Sequence, residues 1–393
     1  MMKALFFNVP SSGHVNPSLP VTAELVRRGV QVIYYLTESY RQKVEATGAE
    51  FRPYPAPLDD TLFDGLDGSK PPLTAERLVR MTHALLPALE AIIHVEKPDV
   101  ILHDSMCPWG WIAAQWCGVP SVSSMSLLLF TAPMMIRSGM LPAIAQAMVT
   151  QTGSIRTYGR IAREISARTG VRLPTLAAFL NMQGTITLSY TSSMFQPLAA
   201  AFGNSVKFVG PMVEPRPDAP AFPFDQLNGQ PLIYVALGTV INHNVLFYKT
   251  CIAAFRDAPV QVVMSIGQQT PLDALGTLPP NFIVRPFVAQ LEVLARASLF
   301  ITHAGMNSVH EGLYFDVPLI LVPQQTEQTF VANRVADLGA GVRVARHTPE
   351  NLRHAAELVL TRSEFRQRAR EIGESLRAAG GVKRAADEVI ALM

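Results

Sequence analysis

The sequence predicts an α/β protein made of two doubly wound halves. Three observations carry that expectation. Short β-rich apolar runs alternate with amphipathic helical runs, the rhythm stops in a proline-rich stretch near the middle, and it then restarts. At 393 residues the chain exceeds what one hydrophobic core serves, which agrees with two domains. Hydrophobic residues are 49% and charged residues 16%, so enough apolar surface exists to offset the entropy of ordering.

Taken in order, Ala4–Val9 is a continuous apolar run, as a buried parallel strand requires. Pro17–Arg28 sets Leu19, Ala23 and Val26 at helical spacing, and Gly29 ends it. Val30–Leu36 is the next strand, Val100–Leu102 another, followed by a helix through Trp111–Trp116 and a strand at Pro120–Ser124. From Val209 to Gln230 periodicity fades among Pro211, Pro215, Pro217, Pro220 and Pro223, which reads as a linker. Strands resume at Leu232–Leu237, Val260–Ile266, Ile283–Arg285, Leu299–Thr302, Pro318–Val322 and Gly341–Arg346. A single long helix is expected from about Ser363 to Met393, crossing back onto the first half. The resulting division is 1–210, a linker 211–230, 231–375, and a C-terminal helix 376–393, with a ligand cleft expected between the halves.

Several function classes are excluded early. The formal net charge is +2, from 33 Lys+Arg against 31 Asp+Glu, which argues against nucleic acid as a main partner. Mean hydropathy is +0.21, yet the most apolar stretch, Leu127–Met148, is broken by Pro133, Arg137 and Pro142. It falls short of roughly 20 uninterrupted apolar residues, so no stable membrane insertion is expected. Met1–Val9 runs straight into a strand pattern without a small-residue cleavage site, so no signal peptide is read. Cys107, Cys117 and Cys251 are an odd number without CxxC spacing, which suits a reducing cytoplasm and argues against a disulfide framework or zinc site.

The residues that carry chemistry fall where strands end. Gly13-His14-Val15-Asn16-Pro17 lies between the first strand and first helix, with Asn16 fit for the N-cap and Pro17 for the first helical position. His14 is then aimed at the C-terminal sheet edge, where doubly wound folds bind ligands, and the alternative is a turn histidine beside a capped helix. Asp104 ends the strand Val100-Ile-Leu-His-Asp at the same edge and can accept a hydrogen bond from one ring nitrogen of His14, or else cap the following helix. His103 alternates to the opposite face and reads as structural. In the second half, Phe300–Gly312 ends a strand and opens a helix through His303-Ala-Gly305-Met306-Asn307-Ser308, the setting in which backbone N–H groups bind phosphate. Thr239 offers a hydroxyl beside it. Ser308-x-x-Glu311 also fits a capping box, and His303 a satisfied core histidine.

Three stretches together resemble a known signature: Phe287-Val288-Ala-Gln290-Leu, then His303-Ala-Gly305-Met306-Asn307-Ser308-x-x-Glu311-Gly, then Val317-Pro-Leu-x-x-Val-Pro-x-x-x-Glu327-Gln328-x-x-x-Ala-Asn-Arg-Val. This is similar to the donor signature of UDP-dependent glycosyltransferases of the bacterial macrolide-glycosyltransferase-like group, and Gly13-His14-Val-Asn-Pro17 resembles the same family's N-terminal motif. The resemblance implies the GT-B fold, two Rossmann-like domains facing a cleft, and inverting, metal-independent sugar transfer without a cofactor. It implies that His14 is the general base and Asp104 its partner. It gives His303 to the diphosphate, with Thr239, Gly305, Met306, Asn307 and Ser308 beside it. Glu311 goes to the ribose hydroxyls, Gln290 and the Val288 backbone to the uracil, and Glu327 and Gln328 to the sugar hydroxyls. Phe287 stands where a Trp often stacks on uracil, Ala289 replaces the usual Pro, and Met306 stands where plant relatives have Trp. Glu327 replaces an Asp found in some branches.

An acceptor hydroxyl needs a base, and a histidine suits that role, contributing about 10²–10⁴-fold. A helix N-terminus with His303 and hydroxyls stabilises the leaving diphosphate without Mg²⁺, and the sequence holds no Asp-x-Asp triplet for a phosphate-bridging metal. Asp59, Asp60, Asp64 and Asp67 read as a solvated loop. The Met-rich region with Leu127, Phe130, Met134, Met135, Met140 and Met148, together with Phe63, is the candidate surface for an apolar acceptor such as a polyphenol, macrolide or steroid, with core packing as the alternative. The expected partners are therefore a UDP-sugar and a hydrophobic small molecule. A dehydrogenase is excluded because residues 8–14 read NVPSSGH rather than GxGxxG. A nucleotide-sugar epimerase of the same fold and a non-catalytic nucleotide-sugar-binding subunit are the rival readings.

Overall fold

The computed structural model describes residues 2–55, 58–63, 70–131, 133–134, 141–179, 181–216, 219–238 and 242–393. The chain forms two compact units, Met1–Met212 with Ala378–Met393, and Val213–Arg377. Each is a parallel sheet between layers of helices.

The first unit holds strands β1 (Lys3–Phe7), β2 (Gln31–Leu36), β3 (Glu50–Pro53), β4 (Val100–Asp104), β5 (Ser121–Met125), β6 (Ile186–Ser189) and β7 (Val206–Phe208). Their order is β3-β2-β1-β4-β5-β6-β7, every pair parallel. Both faces are buried, which is why the strands read as continuous apolar runs. Leu5, Phe7, Ile33 and Ile101 join one core with Trp109 and Ile112, while Ala4, Phe6, Val32 and Leu102 join the other with Val21 and Leu25. β3, β6 and β7 were not foreseen, being short and, in β3, charged at Glu50 and Arg52.

Nor was the helix Pro71–Glu96, which opens on two prolines and closes on Lys97 in the left-handed region (φ 45°). By length and apolarity alone it matches a membrane span, the one such helix among the described residues. Its stripe Leu78, Val79, Leu85, Leu86 and Leu89 is buried in the core of this unit.

The second unit holds β8 (Leu232–Ala236), β9 (Gln261–Ser265), β10 (Phe282–Arg285), β11 (Leu299–Thr302), β12 (Leu319–Leu321) and β13 (Gly341–Arg343) in the order β10-β9-β8-β11-β12-β13, again all parallel. In each sheet the strand order reverses beside one early strand, at β1/β4 and at β8/β11, and ligands bind at such switch points.

The expected single C-terminal helix is two, Ser363–Ala378 and Gly381–Ile390, because Gly380 and Gly381 take φ of 101° and 58°. The last helix packs on Ser12–Arg27 within the first unit. It buries Ala385, Ala386 and Val389 beside Val21 and Leu25, and Arg28 pairs with Asp387.

Candidate active site

The exit of β1 is fixed by Asn8, whose buried amide donates to the Tyr34 hydroxyl at 2.7 Å and to Ser18 Oγ at 3.2 Å. Its carbonyl accepts the Tyr54 hydroxyl at 2.9 Å. The helix that follows starts a turn earlier than expected. Ser11, extended at φ −141° and ψ 124°, is the N-cap, and its carbonyl accepts from the N–H groups of His14 and Val15, both at 2.9 Å. Asn16 is therefore not the cap, and Pro17 and Pro20 lie inside Ser12–Arg27. The shift places His14 in the first helical turn, at the β1/β4 switch point.

β1 and β4 are neighbours, with Phe7 opposite His103, so Asp104 emerges beside that turn. His14 Nδ1 lies 2.9 Å from Asp104 Oδ2. The Asp104 side chain is fully buried, and its other oxygen accepts the Met106 N–H at 2.7 Å. An ionised carboxylate only accepts, so Nδ1 carries the proton and Nε2 keeps its lone pair. Ser126 Oγ, 3.1 Å from Nδ1, is a third member that the sequence reading missed, although the run Ser121-Val-Ser-Ser-Met-Ser126 is unusually hydroxyl-rich for a buried strand end. His103 faces the other way. Its Nδ1–H donates to the Asp104 carbonyl at 3.0 Å, and burial pulls its pKa down to about 4.

In the second unit, the turn after β11 carries Ala304 at φ 66°, a conformation few non-glycine residues adopt and one concentrated at functional sites. The helix Met306–Tyr314 then begins, with Gly305 as an N-cap that offers no side chain. First-turn N–H groups have no acceptor within a helix, which makes helix starts such as this one, at Met306, Asn307 and Ser308, common settings for anions. Ser308 is the third residue of the helix and Glu311 the sixth, so the capping-box alternative does not hold here.

The His303 ring is seated between two glycines. A methyl group at Gly238 would stand 2.6 Å from Cε1, and one at Gly305 would overlap Nε2. Burial lowers the His303 pKa to about 4, so the ring is neutral at pH 7 and has an N–H to donate. Glu311, 6% exposed, is held by Arg216 at one oxygen and by the Gln290 amide at the other, and Gln290 in turn accepts from the Tyr234 hydroxyl at 2.9 Å. Arg216 and Tyr234 had no signal of their own in the sequence: one sits among prolines, the other in an apolar strand. Val288 is buried and Phe287 is 44% exposed.

Gln328 is buried at the start of the helix Thr326–Asp337, where it completes a capping box. Its Oε1 accepts the Gln324 N–H at 2.8 Å and the Gln325 N–H at 3.2 Å. Glu327, in the same first turn, is exposed. Among the acceptor candidates, Phe63 and Leu127 pack against core clusters, as the packing alternative held. The Phe130 backbone is tied to Asn181, and Met134 Sδ stands 4.0 Å from Gln196 Nε2. Thr239, Met135, Met140, Asp64 and Asp67 lie outside the described residues. Among the described residues no three His, Cys, Asp or Glu side chains gather as a metal site.

Residues 206–373 match the family model of UDP-glucoronosyl and UDP-glucosyl transferase. The uncharacterized UDP-glucosyltransferase YojK of Bacillus subtilis is 33% identical over 400 residues, covering 99% of this chain and 97% of that protein. The NDP-glycosyltransferase YjiC of Bacillus licheniformis is 33% identical over 401 residues, covering 98% and 96%. Among solved structures, the glycotransferase of kitacinnamycin superposes with a TM-score of 0.86 at 29% identity, covering 100% of this chain and 99% of the other.

Proposed function

The chain belongs to the UDP-glucosyltransferase family that YojK and YjiC represent, as a glycosyltransferase of the natural-product GT-B type, and from that premise we propose that it transfers a hexose from a UDP-sugar, UDP-glucose foremost, to a hydroxyl of a hydrophobic small molecule with inversion. The observation that carries the reading is the His14–Asp104 pair, a buried carboxylate 2.9 Å from the ring nitrogen of a histidine at a sheet switch point. Nε2 takes the acceptor proton as the acceptor oxygen bonds to the anomeric carbon. The bond from that carbon to the diphosphate oxygen breaks, and UDP leaves with the electron pair. Asp104 holds the tautomer and offsets the imidazolium charge. On the donor side, the Met306–Ser308 turn and neutral His303 stabilise the leaving diphosphate, Glu311 takes the ribose, and Glu327 with Gln328 meets the sugar. No metal is required in this scheme, and EDTA should leave the rate unchanged.

The acceptor class rests on the Met-rich region of the first unit and on the likeness to the kitacinnamycin glycotransferase. Three free thiols, Cys107, Cys117 and Cys251, support a cytoplasmic setting. YojK and YjiC are both named glycosyltransferases, which leaves the epimerase and binding-subunit readings without support. The deciding experiment is incubation of pure protein with UDP-glucose and a panel of phenols, macrolides and steroids. A mass gain of one hexose on an acceptor supports the proposal. Interconversion of the nucleotide sugar without any glycoside would overturn it.

A further inference from the structure

We propose that Tyr234 and Arg216 are positioning residues that make the donor site select ribonucleoside over 2′-deoxyribonucleoside diphosphates, by fixing the Glu311 carboxylate from two sides. The inference rests on the reading of Glu311 as the ribose-binding residue and adds what holds that residue in place.

The geometry is a chain of four side chains from four separate segments. Tyr234 sits in the middle of β8, paired with Phe300 on β11, and the two rings stack at 4.8 Å. Its hydroxyl is buried, and burial together with the nearby Glu311 charge raises its pKa well above the ordinary value, so it always has a proton to donate. It donates to Gln290 Oε1 at 2.9 Å. An amide that accepts at its oxygen must turn its NH₂ the other way, and here that NH₂ donates to Glu311 Oε2. Tyr234 and Glu311 therefore fix the Gln290 amide in one orientation between them, the hydroxyl anchoring the oxygen end and the carboxylate taking the NH₂. Were the amide flipped, its oxygen would confront the carboxylate and repel it. Arg216 binds Glu311 Oε1 from the opposite side.

Counting lone pairs gives the specificity. A carboxylate has about four acceptor positions, two on each oxygen. Gln290 occupies one on Oε2 and Arg216 one on Oε1, which leaves one position on each oxygen. Two acceptors on adjacent oxygens of one planar group suit two vicinal hydroxyls, the 2′ and 3′ positions of ribose. A 2′-deoxyribose fills one of them and leaves the other buried and unmet. The Arg216 cation also offsets a negative charge that would otherwise oppose an incoming diphosphate.

The test measures Kd for UDP and for 2′-deoxy-UDP, which differ by one hydroxyl, on wild type, Tyr234→Phe, Arg216→Gln and Glu311→Ala, by calorimetry. Wild type should bind UDP about tenfold more tightly than the deoxy compound, the usual weight of a hydrogen bond to a charged group. In Tyr234→Phe and Arg216→Gln the ratio should fall to about threefold or less, and in Glu311→Ala to about one. A purely structural role would weaken both nucleotides by one factor and leave the ratio untouched, which overturns the inference. If Glu311→Ala collapses the ratio while the two positioning variants keep it, this inference fails and the ribose reading stands. If Glu311→Ala keeps the wild-type ratio, the ribose reading fails and takes the inference with it. Should Tyr234→Phe not fold, Arg216→Gln, at a site 42% exposed, carries the test alone.

Discussion

The proposed proton acceptor is one nitrogen of His14, and substitutions around it measure how much each neighbour contributes. His14→Ala should lower kcat on an alcohol acceptor by about 10²–10⁴-fold with UDP affinity unchanged, because the loss is on the acceptor side. Asp104→Asn should cost less than His14→Ala but remain severe, since an amide can present an N–H where Nδ1–H needs an acceptor. Full turnover by His14→Ala on an alcohol would remove the base; acidic phenols and thiols, which lose protons readily, are no test. On the donor side, His303→Ala should weaken UDP by roughly 1–3 kcal/mol, read by calorimetry, and an unaltered Kd would take that residue out of the site. His14 and Asp104 were legible in the sequence because each follows or ends a strand whose apolar run is unmistakable. Ser126, Tyr234 and Arg216 were not, because their importance lies in contacts between segments far apart in the chain.

Helix starts were the least legible feature, and they change what two residues do. Pro17 looks like a first helical residue, yet the backbone commits at Ser11, where an extended residue brings two N–H groups onto one carbonyl. Gln328 looks like half of a sugar-binding pair, yet its side chain closes a capping box. Burial in that cap separates Gln328 from the exposed Glu327. Gln328→Ala should lower Tm by several degrees, the effect of losing about 0.5–2 kcal/mol of cap, and should reduce kcat/KM for the UDP-sugar as well. Glu327→Ala, exposed, should leave Tm within a degree or so while lowering kcat/KM for the UDP-sugar about tenfold and barely moving Kd for UDP. Parallel losses of UDP and UDP-glucose binding in the Glu327 variant would assign it to helix electrostatics instead. The turn after β11 is equally constrained. Gly305→Ala and Gly238→Ala each drive a methyl group into the His303 ring, so both should mimic His303→Ala in UDP affinity.

At the scale of the whole molecule, burial pulls three histidine pKa values down furthest, His103 and His303 to about 4 and His310 to about 3, and lowers His347 as well. Their unfolded value is about 6.5. Below it the unfolded chain takes up protons that the folded chain refuses. Stability is therefore full above about pH 6.5 and lost as pH falls toward 4, with up to about 1.4 kcal/mol per pH unit from each residue. Melting scans at pH 7.5, 6.0 and 5.0 should show Tm falling across the last two, and a flat profile would contradict the burial of these rings. At this scale the sequence was most informative about alternation: two parallel sheets follow from apolar runs spaced by helices. It said least about β3, β6 and β7, whose short or polar strands acquire their character only from the neighbours they pair with.

The return of Gly381–Ile390 to the first unit has a cost in biosynthesis. The core that receives Ala385, Ala386 and Val389 includes Val21 and Leu25, residues made more than 300 positions earlier in the chain. The segment that covers them emerges only after the entire second unit, Val213–Arg377, has been made. At about 5–20 residues per second, the nascent first unit waits on the order of ten seconds with that apolar stripe bare. Ribosome-held chains stopped at Arg377 should bind hydrophobic holdase chaperones more than chains extended past Met393 on a linker, and Val389→Asp should keep the full-length chain in the holdase-bound state. The order of synthesis thus leaves the completion of the first domain to a helix made after the whole second one.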